Sequence, residues 1–240
     1  MPTRNLLYAS EIAINDKISI KIPTVGDVID DEDGYYGLVS ALTAMPVDYM
    51  VQLEDWGLDF TSINAYELFL ILFEAIRSQD TSLIFGELDL SLFERAVNER
   101  NNQIVLLDRH NDIVIDRAIH SQIASALRKI HHLKKNNQKP ANDEGKRYML
   151  ERARIKYERN KRRKHDSQLE SLIIGLVNTE QYKYDYESTL GISIYQFNES
   201  VRQVMRKIDY DNRMIGVYAG TVDVSKADPG DLTWIGSNTK

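Results

Sequence analysis

A chain of 240 residues with 42% hydrophobic and 28% charged positions carries enough apolar content for one sizeable core or two modest ones, which excludes a natively disordered chain. Zero cysteines remove a disulfide framework, a thiolate metal site and a cysteine nucleophile together, and they fit folding in a reducing cytoplasm. The net charge of −6 conceals an asymmetry: positions 128–164 hold 15 Lys or Arg against four acids, a net of +11, so the remainder carries −17. Separation of that kind means a basic arm that answers an acidic partner surface, the chain's own acidic body, or nucleic acid.

Taken in order, residues 11–22 alternate apolar and polar positions on both sides of Asn15-Asp16, the pattern of a β-hairpin. Thr24 is placed to cap a short helical turn through Val25, Val28 and Ile29, ahead of an acidic break at 30–33. Tyr35, Leu38, Val39 and Leu42 share one helical face that closes near Thr43. Pro46 suits the first turn of a second helix, and Gly57 offers it a left-handed stop. Positions 66–76 are apolar almost all round, which predicts a central helix buried against several neighbours.

Leu83-Ile84-Phe85 reads as an edge strand or packed turn, and 91–94 as a short helix. The runs 103–108 and 112–115, rich in β-branched residues, flank Arg109-His110-Asn111 as a second hairpin. Ile119, Ile123, Ala126, Leu127 and Ile130 return to helical spacing over 118–133. Residues 134–145 contain no large apolar side chain and form the best linker candidate, because burial there cannot offset ordering entropy. Residues 146–164 are built from good helix formers with few groups to pack, which predicts an exposed or partner-dependent helix. A conventional stripe follows over 168–177. Ser193 and Gln196 make a capping-box start for a helix ending around Asp209, with a further helix from Asn212 stopping at Gly220.

The inventory of reactive groups is thin. His131-His132 with His120 and Asp116 invites a metal site, but adjacent histidines point about 100° apart on a helix and cannot share a face. Asp108, Asp112 and Asp116 lack the glycine and bidentate glutamate of a calcium loop and read as turn and strand-edge acids. Dinucleotide, phosphate-loop, nucleophile-elbow and zinc-protease motifs are all missing, so the expectation is a protein without catalysis, cofactor or metal. No run approaches the ~18 apolar residues of a spanning helix, so no membrane association is expected.

Two stretches carry a resemblance. The first holds Tyr35-Tyr36, Leu38-Val39-Ser40, Pro46, Asp48-Tyr49-Met50, Leu53, Asp55, Gly57-Leu58-Asp59-Phe60 and Glu67-Leu68-Phe69. The second holds Ser193, Tyr195-Gln196-Phe197, Ser200-Val201, Gln203, Tyr210, Met214-Ile215-Gly216, Tyr218-Ala219-Gly220-Thr221, Asp223, Leu232 and Trp234-Ile235. Together they span about half the chain, and the pattern resembles tail-assembly and baseplate-assembly proteins of tailed bacteriophages of Gram-positive hosts. The long basic insert departs from shorter members of that group. The resemblance implies an acidic, mostly helical protein that binds other phage tail or baseplate proteins in the host cytoplasm, as an assembly chaperone or a component retained in the virion.

The resulting expectation is a mainly α fold with small β-hairpins (α+β). An N-terminal hairpin and helical core (1–133) connects through a basic linker and exposed helix (134–167) to a C-terminal helical region (168–240). Tyr195, Gln196, Tyr210 and Trp234 are candidate contacts to a protein partner, since aromatic groups dominate interface energetics. Arg159, Lys161, Arg162, Arg163 and Lys164 are candidates for an acidic protein surface. The alternative is a nucleic-acid-associated regulator acting through 128–164, whose binding would fall steeply with salt.

Overall fold

The fold is that of a computed structural model, which describes residues 5–99, 102–161, 167–222 and 233–235. Among these are ten α-helices and two small antiparallel sheets, the mainly α architecture expected. The chain opens with the hairpin β1 (Glu11–Ala13) and β2 (Ser19–Lys21), in register Glu11 to Lys21. Its loop, 14–18, is five residues where the sequence suggests a two-residue break. Ile14 and Asn15 both donate to the Ile18 carbonyl, while Asn15 Oδ1 accepts from the amides of Lys17 and Ile18.

Thr24 caps α1 (Val25–Asp30) with a reciprocal bond to Asp27. The acidic break is itself a helix start: Asp31 caps α2 (Glu32–Thr43), placing Glu32 and Asp33 in the first turn, where the helix dipole favours negative charge. A 3-10 turn over Pro46–Tyr49 leads into α3 (Met50–Asp55), and Gly57, at φ +73°, ends it in the left-handed region. Asn64 and Glu67 form the capping box of α4 (Ala65–Arg77), whose Leu68, Phe69, Phe73 and Ile76 are buried.

Beyond α4 several expectations change. Of the edge strand or packed turn expected for Leu83-Ile84-Phe85, the chain forms the turn: the single-turn helix α5 (Ser82–Phe85), with Ile84 and Phe85 buried. Residues 91–94 form no α-helix: a 3-10 turn over Leu90–Leu92 passes directly into β3 (Glu94–Asn98). With β4 (Gln103–Asp108) and β5 (Ile113–Ile115), β3 completes a three-stranded meander rather than a lone hairpin. α6 (Arg117–Ile130) then lies against α2 and α4, with Ile123, Leu127 and Ile130 buried.

The basic arm is helical as α7 (Asp143–Lys161), followed by α8 (Gln168–Val177), α9 (Tyr186–Gly191) and α10 (Ile194–Tyr218). α10 runs unbroken through 209–212, where two helices were expected. Lys207 with Asp211, and Asp209 with Arg213, are i,i+4 pairs that hold the polar stretch in helical register.

One large hydrophobic cluster joins residues from both ends of the chain. Ile18, Ile20, Val28, Phe69, Phe73 and Phe93 share it with Leu169, Ile173, Leu176, Ile194, Phe197 and Val204. Backbone bonds stitch the same parts together: Val25 N donates to Ile192 O at 2.9 Å and Ile194 N to Pro23 O at 2.9 Å, so the capping residues Thr24 and Ser193 face each other as an isolated bridge. A smaller cluster of Ala44, Val47, Leu53, Phe60 and Leu68 receives Leu150, the only buried residue of α7.

Candidate partner-binding surface

The N-terminal turn of α10 carries Tyr195 and Gln196, both half-buried. Gln196 closes the capping box with Ser193 and extends its Nε2 to the carbonyl of Leu7 at 2.6 Å, which ties the N-terminal segment to α10. Tyr195 lies beside His132, ring centroids 5.5 Å apart, and its hydroxyl donates to Glu199 at 3.3 Å. Burial, with the Glu199 charge behind it, raises the phenol above its ordinary value. These two residues line an open cleft of about 510 Å³ with Leu7, Tyr184 and Ile192.

Tyr210 and Trp234 sit elsewhere. Fifteen residues of helix at 1.5 Å each separate Tyr195 from Tyr210 by about 22 Å. Trp234 folds back on the distal half of α10, where the Lys207 ammonium stands 5.6 Å from its ring centroid. The four aromatic and amide candidates therefore do not form one patch: Tyr195 and Gln196 lie at the start of α10, Trp234 beside Lys207 near its middle, and Tyr210 about one turn further on.

The distal half of α10 also holds apolar groups that the aromatic count did not single out. Past Val204 no residue of this helix is buried, while Met205, Ile215 and Tyr218 are 63%, 67% and 84% exposed. Of these, Met205 falls in a stripe at helical spacing with Val201 and Ile208 in the sequence, whereas Ile215 and Tyr218 fall in the further helix expected from Asn212. Only the packing shows that the stripe outruns the core.

In the arm, Arg159 and Lys161 are exposed near the end of α7, whereas Arg162, Arg163 and Lys164 lie outside the described residues. Other arm cations meet the chain's own acids. Arg154 reaches Glu54 at 3.1 Å and Asp55 at 2.8 Å, Lys146 reaches Asp59 at 2.7 Å, and Asn136 donates to Asp48 at 2.7 Å. The hydrogen bond from Lys146, with those from Thr61, holds the Asp59 carboxyl at about 2.

The histidines are placed for structure. His120 stacks on Phe69 with centroids 4.4 Å apart, and burial pushes it down to about 4. His131 Nε2 stands 3.0 Å from the Tyr35 hydroxyl and is likewise held at about 4 by burial. His132 approaches Glu199 at 3.2 Å without the geometry of a hydrogen bond. Among the described residues no three His, Asp or Glu groups converge on a metal position. Asp116 instead caps α6 through Ile119 N, and Asp108 accepts from the amides of His110 and Asn111 in the β4–β5 turn. Among the described residues no helix is long and apolar enough to cross a membrane.

A protein-family model described as the YomV second domain matches residues 160–238, a third of the chain, and YomV is a Bacillus phage-region protein. The match links the C-terminal part of this chain to phage-region sequence. None of the curated proteins matches it. None of the solved structures does either.

Proposed function

We propose that this chain is a non-catalytic, phage-derived morphogenesis protein that binds other tail or baseplate proteins during assembly. The observation that carries the reading is the distal half of α10, inside the region matched by the YomV second domain, where Met205, Ile215 and Tyr218 are left uncovered. A helix that buries its first half and leaves an apolar stripe on its second half has a surface suited to protein contact. The residue pattern shared with tail-assembly and baseplate-assembly proteins supports the same class.

The experiment is capture of tagged full-length protein co-expressed with the tail and baseplate genes of a related phage. A defined tail protein should be retained, and Ile215→Asp with Tyr218→Asp should release it. Because those side chains touch little of this chain, the double variant should keep its stability to within about 0.5 kcal/mol. Retention of the partner by the double variant would move the contact away from α10, and retention of no tail or baseplate protein would sink the reading. Mass spectrometry of purified virions then separates a transient chaperone, absent from particles, from a component present at fixed stoichiometry.

A further inference from the structure

A cavity of about 610 Å³ lies between one face of α6, the segment 59–66 and the crossing strap 135–140. Arg117, His120, Ala124 and Arg128 recur at three- and four-residue steps on that face of α6, with Arg117 and Arg128 at its two ends, about 16 Å apart along the axis. The strap adds Lys135 and Lys139, and the start of α7 adds Lys146. Against these five cations stand Asp59 and Asp143, and Asp59 is already paired with Lys146. A chain that is acidic overall thus walls a cavity with net positive charge.

The floor is neutral and apolar. His120, uncharged near neutral pH, contributes a ring stacked on Phe69, while Phe60 and Tyr66 are buried and the Tyr66 hydroxyl donates to Ile115 O at 2.8 Å. Arg128 is held by a bond from Nη2 to the Thr43 carbonyl, and the Asp48 carboxylate acts on its charge from nearby, so its guanidinium fork is shared with the chain's own groups. Arg117, Lys135 and Lys139 are exposed, and no described residue forms an ion pair with them.

We propose that this cavity receives an extended acidic peptide segment of a partner protein, with carboxylates answering Arg117 at one end and Arg128 with the strap lysines at the other. This rests on the protein-binding reading above and names the chemistry of one of its contacts. The spacing suits a peptide: at about 3.3 Å per residue, five extended residues span the distance between the two arginines. Carboxylates match the planar arginine fork, and the apolar floor accepts an intervening aliphatic side chain. Single-stranded nucleic acid is the poorer fit, because no exposed aromatic ring on this wall offers a base a stacking platform.

The test uses the full chain and a fluorescein-labelled, end-blocked peptide Glu-Leu-Glu-Leu-Glu, read by fluorescence anisotropy at low salt. Saturable binding is expected, with at least a tenfold loss in Lys135→Glu/Lys139→Glu and in Arg117→Glu. Those positions are exposed, so unchanged thermal melts will show that the variants fold. No saturable binding, equal binding of Lys-Leu-Lys-Leu-Lys, or loss-free binding by the variants overturns the proposal. So does a five-nucleotide oligothymidine that binds more tightly and is lost with the same substitutions. The two readings separate cleanly: a tail protein still captured by Lys135→Glu/Lys139→Glu rejects the cavity alone, and peptide binding without tail-protein capture rejects the assembly role alone.

Discussion

Glu32 caps a helix other than its own. Its carboxylate accepts from Ser167 Oγ and from the amides of Gln168 and Leu169, at 3.1 and 2.9 Å, so a negative charge from α2 satisfies the exposed donors of α8 and complements that helix's dipole. Glu32→Ala is expected to cost about 1–2 kcal/mol in denaturant unfolding, and Glu32→Gln less, since the amide oxygen still accepts. A loss below a few tenths for Glu32→Ala would show that α8 is held by packing alone. His120 and His131 set the response to acid. Their folded values of about 4 lie below the ordinary 6.5, so the folded chain keeps both imidazoles neutral while the unfolded chain takes up protons. Stability is full above pH 6.5 and falls as pH drops from 6.5 towards 4, by at most about 3 kcal/mol per histidine. Urea titrations across that window should show the slope, and His131→Phe should flatten it by about half, at the expense of the contact with Tyr35.

At the scale of elements, the balance for α7 is thin. Leu150 contributes roughly 2 kcal/mol by burial and the solvent-exposed pairs at Lys146 and Arg154 add little, set against the ordering of a 19-residue helix. Amide exchange in α7 should therefore be much faster than in α4, should quicken further in 1 M salt, and should rise to the level of an isolated helix in Leu150→Asp. Salt-independent exchange would remove the ion pairs from the account. The elements that sequence reading recovered are those with strong local signals: the Thr24 and Ser193 caps, the stop at Gly57, and the apolar run of α4, whose Asn64 cap it did not name. Those it missed lack such signals for physical reasons. β3 alternates no buried face, because all five of its side chains are exposed or half-exposed at the edge of the sheet. α9 buries only Thr189, whose hydroxyl bonds to Asp185 O and Tyr182 Oη, so no hydrophobic period marks it. Glu54, Asp55 and Asp59, the acids that the arm's cations meet, stand 87 to 100 positions from those cations, a separation that local pattern cannot reveal.

Across the whole molecule, the basic arm and the C-terminal helices are attached in different ways, and truncation should separate them. The arm is held chiefly by Leu150 and surface charge, so replacing 146–164 with a flexible linker of equal length should leave the large core intact and lower stability by only a few kcal/mol. The C-terminal helices instead supply Leu169, Ile173, Leu176, Ile194, Phe197 and Val204 to the cluster built on Phe69, Phe73 and Ile20, and Thr24 faces Ser193 across a backbone bridge. Ending the chain at 167 would expose the opposite wall of that cluster. At about 1.5–3 kcal/mol for each of these six apolar side chains removed from its site, the loss of about 9–18 kcal/mol is as large as the 5–15 kcal/mol that keeps an ordinary domain folded. The 1–167 fragment is therefore expected to lose its cooperative thermal transition and bind a hydrophobic dye, while the arm-replaced chain keeps one sharp transition. A cooperative melt from the 1–167 fragment would mean that the N-terminal helices close a core of their own. If the fragment regains its transition when 168–240 is added as a separate peptide, the two parts recognise each other without a covalent link, and the cluster joining Phe73 to Phe197 is the contact that does it.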